Sequence, residues 1–123
     1  MESLPSIESL ILDPELDASW ARTCAWAQQR FGREPSVESL LFLIGIDSRD
    51  GDFEVRLKKE MKQDLIMEGT YAVLAGIGVY ARTDQPPGWS RIRTVPVLSE
   101  EDQERLLRAA IARYLAPLLQ TDH

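Results

Sequence analysis

The segment from Val37 to Ile46 constrains this chain more than any other, because its run of Val37, Leu40, Leu41, Phe42, Leu43, Ile44 and Ile46 leaves a helix with almost no polar face. Such a helix must be covered on every side. It is therefore expected at the centre of a bundle or against another copy of the chain. Ser36 stands at its N-cap position with Glu38 in the first turn, and Asp47-Ser48-Arg49-Asp50-Gly51-Asp52 reads as the turn cluster that ends it.

The rest of the sequence supplies helices to provide that cover. Ile7, Leu10 and Ile11 fall at i, i+3, i+4 and predict a short helix behind Pro5, a brief extended segment being the alternative. Asp13-Pro14-Glu15 has the order of an N-cap, a first helical position and a first-turn acid, which predicts a helix over 14–31 closed by Gly32. On it Trp20, Cys24, Ala27 and Phe31 form an apolar stripe, with Trp26 beside it and Arg30 one turn on. A third long helix is expected over 54–79, capped by Asp52, charged at first and then small and apolar. Gly69, Gly76 and Gly78 in it imply close backbone approach or an early end.

After Ala81 the helical periodicity stops. Asp84-Gln85-Pro86-Pro87-Gly88 is a turn, and the β-branched stretch to Val97 predicts a short hairpin or extended arm near 80–97. Ser99 then opens a last helix whose buried face is Leu106, Leu107, Ala110, Ile111, Tyr114, Leu115 and Leu118, with Glu101/Arg105 and Glu104/Arg108 as i, i+4 pairs. Pro117 predicts its end near Ala116 and a loose tail over 117–123. The fold class expected is mainly α: a compact bundle of four to five helices plus the hairpin, in a single domain over 1–123.

At 123 residues and 44% hydrophobic, the chain is long enough to own a core without staples. One cysteine cannot form an internal disulfide, and the start Met1-Glu2-Ser3-Leu4-Pro5 lacks the pattern of a signal peptide, so the expected compartment is the cytoplasm. The apolar runs fall short of the ~20 residues a bilayer core demands, so no membrane span is expected. Twenty acids against fourteen bases give a net charge of −6, which disfavours nucleic acid as a partner.

Residue types that carry chemistry are sparse. His123 is the sole histidine and stands at the end of the tail, so nucleophilic mechanisms lack a well-held base. One cysteine and one histidine exclude a structural zinc site by count, and Cys24 on an apolar stripe reads as an inert thiol. The acidic stretches beginning at Asp13 and Asp47 fail as calcium loops at position twelve, which is Cys24 or Lys58, and Gly76-Ile77-Gly78 lacks the third glycine of a dinucleotide loop. No catalytic residue, metal site or cofactor is expected.

Two candidate sites stand out. Glu60, Asp64 and Glu68 recur at i, i+4, i+8 on one helical face, a row that can collect a hard cation, act as acid and base, or simply be solvated. Arg82, Trp89, Arg91 and Arg93 surround the Pro-Pro-Gly turn, and arginine and tryptophan are favoured binding anchors. The alternative for Trp89 is a lid folded back onto the last helix.

Phe42-Leu43-Ile44-Gly45-Ile46, Glu60-Met61-Lys62-Gln63-Asp64-Leu65, Gly78-Val79-Tyr80 and Gly88-Trp89 together resemble, over about residues 40–115, a family of small, mostly helical bacterial proteins with no assigned activity. The family pattern reads FLIG-[IV], E-x-KQDL, G-x-Y and a D-x-D-GW turn. Met67 stands here where that family commonly has histidine, and the turn reads Asp84-Gln85-Pro86-Pro87-Gly88-Trp89. The resemblance implies a helical bacterial protein and no mechanism.

The function expected is noncatalytic protein binding, most simply self-association as a homodimer through the Leu40 to Ile46 helix or the small residues Ala72 to Gly76. The alternatives are a metal-dependent or acid/base enzyme using Glu60, Asp64 and Glu68, and an acidic chaperone-like carrier for a basic partner.

Overall fold

The computed structural model describes residues 5–32, 35–49, 59–85 and 88–121, and within them the side chains of 49, 59–61 and 121 are not described. In chain order these residues form α1 (Ile7–Ile11), α2 (Leu16–Phe31), α3 (Val37–Arg49), α4 (Lys59–Gly76), β1 (Tyr80–Arg82), β2 (Trp89–Arg91) and α5 (Glu100–Thr121). The fold is a mainly α bundle with one small antiparallel hairpin, in which Tyr80 pairs with Arg91, Ala81 with Ser90 and Arg82 with Trp89.

Local chemistry sets most helix starts. The Ser6 hydroxyl accepts from the Ser9 amide at 3.1 Å and begins α1, resolving that segment as helix. Ser36 and Ser39 cap reciprocally: the Ser39 amide donates to Ser36 Oγ at 3.1 Å and the Ser36 amide to Ser39 Oγ at 2.8 Å. Ser99 Oγ accepts from the Asp102 amide at 3.1 Å and opens α5. At α2 the Asp13 carboxylate instead accepts from the Glu15 amide at 2.9 Å, so residues 14 and 15 form a turn and the helix starts at Leu16.

The helix ends depart from expectation in three places. α3 runs on through Asp47 and Ser48 to Arg49, because the Ser48 side chain is tied to α4, as described below. The expected start of α4 at 54 and its Asp52 cap lie outside the described residues. Its end comes at Gly76 rather than 79: Gly78 adopts φ +80°, the Gly78 amide donates to Ala75 O and the Val79 amide to Leu74 O, both at 3.0 Å. That pairing is a Schellman turn, and the left-handed conformation at its corner costs glycine least. α5, in contrast, continues through Pro117 to Thr121. Arg113 and Pro117 are both exposed, so the proline lies on the outer face of the helix, while Leu115 and Leu119 both pack on the core.

The core gathers Ile7 and Ile11 of α1, Ala27 of α2, Leu40, Leu41 and Ile44 of α3, Val73 of α4 and Leu106, Ala110, Ile111 and Leu115 of α5, with Ile77, Val79 and Trp89. On α2 the buried line is Leu16, Thr23 and Ala27, with Trp20 and Phe31 packed against it and Cys24 half-buried at its flank. Thr23 can lie inside because its hydroxyl donates to the Ser19 carbonyl at 2.9 Å. Burial pushes the Cys24 thiol up, against a smaller opposing pull from Arg108, which favours the protonated form. Leu118, expected on the buried face of α5, is largely exposed. Arg105 leaves its expected partner Glu101 and donates to the Ile11 carbonyl at 2.8 Å beside Asp17 at 3.6 Å, tying α1 and α2 to α5. The Glu104–Arg108 pair forms at 3.5 Å as expected.

α3 receives the cover its composition demands from within the chain. It crosses α4 at two glycines: a Cβ added at Gly45 would overlap the Leu65 carbonyl, and one at Gly69 would overlap the Leu41 carbonyl. Only glycine lets two helix backbones come this close, so the two positions act as one contact. Leu40, Leu41, Ile44 and Ile46 are buried as a result, leaving Phe42 and Leu43 half-buried. Ala72 and Val73 are likewise buried inside the bundle. A second copy is therefore not required to cover either segment.

Candidate functional site

The two candidate residue sets, separate in sequence, meet at Glu68. Its position on α4 faces the hairpin, and its side chain is only 11% exposed. A carboxylate so placed needs donors on both oxygens. Trp89 Nε1 donates to Oε1 at 3.0 Å, and Ser48 Oγ, from the last turn of α3, donates to Oε2 at 2.8 Å. The Arg82 guanidinium lies 3.5 Å from Oε2 and donates to Ser48 Oγ at 2.8 Å and to the Ser48 carbonyl at 3.3 Å. Glu68 thus fastens α3, α4 and both strands together.

Around this knot the aromatic rings form a continuous series. The Arg82 guanidinium sits 4.3 Å above the Trp89 ring. Trp89 stacks on Tyr71 at 6.1 Å and 18°, and Tyr71 meets Tyr80 edge to face at 4.9 Å and 82°. At the far end Arg91 lies 5.8 Å from the Tyr80 ring and donates to its hydroxyl at 3.3 Å. That hydrogen bond raises the pKa of Arg91 further, so its exposed guanidinium is a permanent cation. The two ring–ring pairs, Trp89–Tyr71 and Tyr71–Tyr80, each contribute on the order of 0.5–1.5 kcal/mol beyond burial alone.

The sequence-predicted residues therefore divide. Arg82, Trp89 and Arg91 come together on the hairpin, with Trp89 buried against Glu68 and Tyr71 of α4. Arg93 turns the other way and donates to the Ile77 carbonyl at 3.0 Å, completing the end of α4. In the carboxylate row, Asp64 is exposed, the side chain of Glu60 lies outside the described residues, and Glu68 has both oxygens occupied by protein donors. Among the described residues no three His, Cys, Asp or Glu side chains converge to hold a metal ion. His123 lies outside the described residues.

Sequence reasoning missed Ser48, Tyr71 and Tyr80. Tyr71 and Tyr80 also line, with Met67, Thr70 and Leu74, a shallow surface groove of about 220 Å³ bordered by Arg91 through its contact with Tyr80. Chemically this face offers the exposed Arg91 guanidinium for carboxylate recognition, an Arg82 guanidinium already shared with Glu68 and Ser48, and an apolar groove beside fixed rings. No known protein family, curated protein or solved structure matches the chain. Among the described residues no helix is long and apolar enough to cross a membrane.

Proposed function

We propose that this chain is a noncatalytic protein-binding domain, and that its recognition face is the rim of the hairpin's α4-facing side, where Arg82 and Arg91 are exposed, with the adjoining groove on α4. The observation that carries the reading is the fixed series Arg82–Trp89–Tyr71–Tyr80–Arg91, with an exposed cation at each end on a protein of net charge −6. Side chains already ordered by intramolecular contacts lose little freedom on binding, so they make efficient anchors. The partner that fits is a protein segment with a carboxylate for Arg91 and an apolar side chain for the groove beside Tyr80. Met67, 54% exposed on the wall of that groove, extends the apolar contact. A second copy of the chain, rich in acids, is one source of such a segment.

Photocrosslinking in cells tests this directly, with a benzophenone amino acid replacing Met67 in the groove wall and, as a control site, Leu12, which is also strongly exposed. A discrete protein adduct is expected at 67 and not at 12, and Arg91→Glu is expected to remove it without shifting the thermal midpoint. An adduct of twice the chain mass identifies self-association. Absence of an adduct at 67, or one indifferent to Arg91→Glu, ends the reading.

A further inference from the structure

Between the C-terminal half of α2, the middle of α3 and the last turns of α5 lies a cavity of about 160 Å³ that the hairpin face does not involve. Its walls are apolar: Trp26, Phe31, Leu40, Ile44 and Leu115. Trp26 and Phe31 brace one another edge to face at 6.0 Å and 87°, which fixes one side. Among the described residues the polar groups at its margin are Arg30, Asp47 and Tyr114. Arg30 is exposed and lies 6.0 Å from the Phe31 ring, and Tyr114 Oη donates to Asp47 Oδ2 at 3.4 Å. Burial, and then the Asp47 charge, raise the Tyr114 pKa, so the phenol stays protonated and holds the carboxylate in place. Among the described residues Tyr114 is the donor to Asp47, through Oδ2, and Oδ1 remains for another.

We infer that this cavity binds a small single-ring aromatic molecule carrying a hydrogen-bond donor, the ring among the apolar walls and its O–H or N–H on Asp47. Three features select that chemistry. The volume is close to the roughly 150 Å³ of an apolar cavity that takes up benzene, which sets one ring as the size. An apolar cleft with a few convergent polar groups is the usual form of a small-molecule site. A carboxylate only accepts, so a ligand group placed on Asp47 must donate and an anionic one there is repelled, while the exposed Arg30 guanidinium is turned over the Phe31 ring.

Methyl-resolved NMR titration of the full chain with phenol, toluene and benzoate decides the matter. Phenol is expected to shift the Leu40, Ile44 and Leu115 methyl signals with saturation in the millimolar range or below. Toluene should bind about tenfold more weakly, the loss of one hydrogen bond to a charged group, and benzoate not at all. Asp47→Ala, at an exposed position and so compatible with folding, should bring phenol down to the affinity of toluene. No methyl shift with phenol, equal affinity for phenol and toluene, or phenol binding unchanged in Asp47→Ala would each overturn the assignment.

Discussion

Where α3 crosses α4, backbone meets backbone at Gly45 and Gly69, whereas the hairpin reaches the same helix through side chains: Trp89 and Arg82 on Glu68, and Trp89 on Tyr71. The first contact is steric, so it has no slack, and any added atom must part the helices. The second is polar and aromatic, and its strength is spread over several partners that can be removed one at a time. Both anchor to α4 within one turn, at Glu68 and Gly69. Adjacent residues on one helix thus serve a rigid scaffold on one side and an adjustable surface on the other, the arrangement expected of a recognition site carried on a fixed frame.

The largest effect should come from breaking the steric contact. Gly69→Ala adds one carbon where the Leu41 carbonyl already lies, and the neighbour is backbone, which cannot rotate away. We expect a loss of about 3 kcal/mol or more, at or above the upper end of ordinary overpacking. Alanine's better helix propensity offsets at most about 1 kcal/mol of it. Urea unfolding followed by circular dichroism measures the change, and Gly45→Ala should match it. A loss below about 1 kcal/mol would mean that the crossing has room, and the contrast with the hairpin would fall.

Trp89→Ala comes next, at about 3 kcal/mol, as large aromatic truncations in cores do. It also strips Glu68 of one donor. Trp89→Phe keeps an aromatic ring on Tyr71 but removes the indole N–H together with part of the bicyclic ring, so a loss of about 1.5 to 3 kcal/mol is expected, the larger part from the hydrogen bond to a charged group. The two variants, read by denaturant midpoint and near-ultraviolet circular dichroism, separate ring from donor. If Trp89→Ala proves nearly neutral, the indole is a surface group and the Glu68 knot does not hold the hairpin.

What the sequence made legible was local. Ser36 and Ser99 cap their helices at the expected places, and Gly32 ends α2 with φ +70°. These depend on residues three or four apart, and so did the mainly α class. The failures are positions where a distant part of the chain decides. The Pro117 penalty is overridden by Leu119 packing on the core. Thr23 rather than Cys24 lies inside because Ser19 satisfies its hydroxyl. At the site, Arg82, Trp89, Arg91 and Glu68 were all visible as unusual residues. Their union was not, since Glu68 lies 20 residues from Ser48 and 21 from Trp89, and no periodicity links them.

The smallest predicted effect sharpens the comparison most, because it uses the same substitution on the same helix. Gly76 ends α4, seven residues beyond Gly69, and a Cβ added there meets nothing within 4 Å. Its φ is not positive, unlike that of Gly78 in the turn that follows, so alanine fits the backbone without strain. Gly76→Ala should therefore stabilise by a few tenths to about 1 kcal/mol, through the helix preference and the reduced freedom of the unfolded chain. The sign is what matters. If α4 disliked alanine in general, both positions would lose stability, whereas opposite signs at 69 and 76 locate the cost in the contact with Leu41. A double variant should then show the two changes adding within about 0.5 kcal/mol, since the sites share no partner. A destabilisation at 76 measured in the same urea series would instead point to a neighbour pressing on the end of α4.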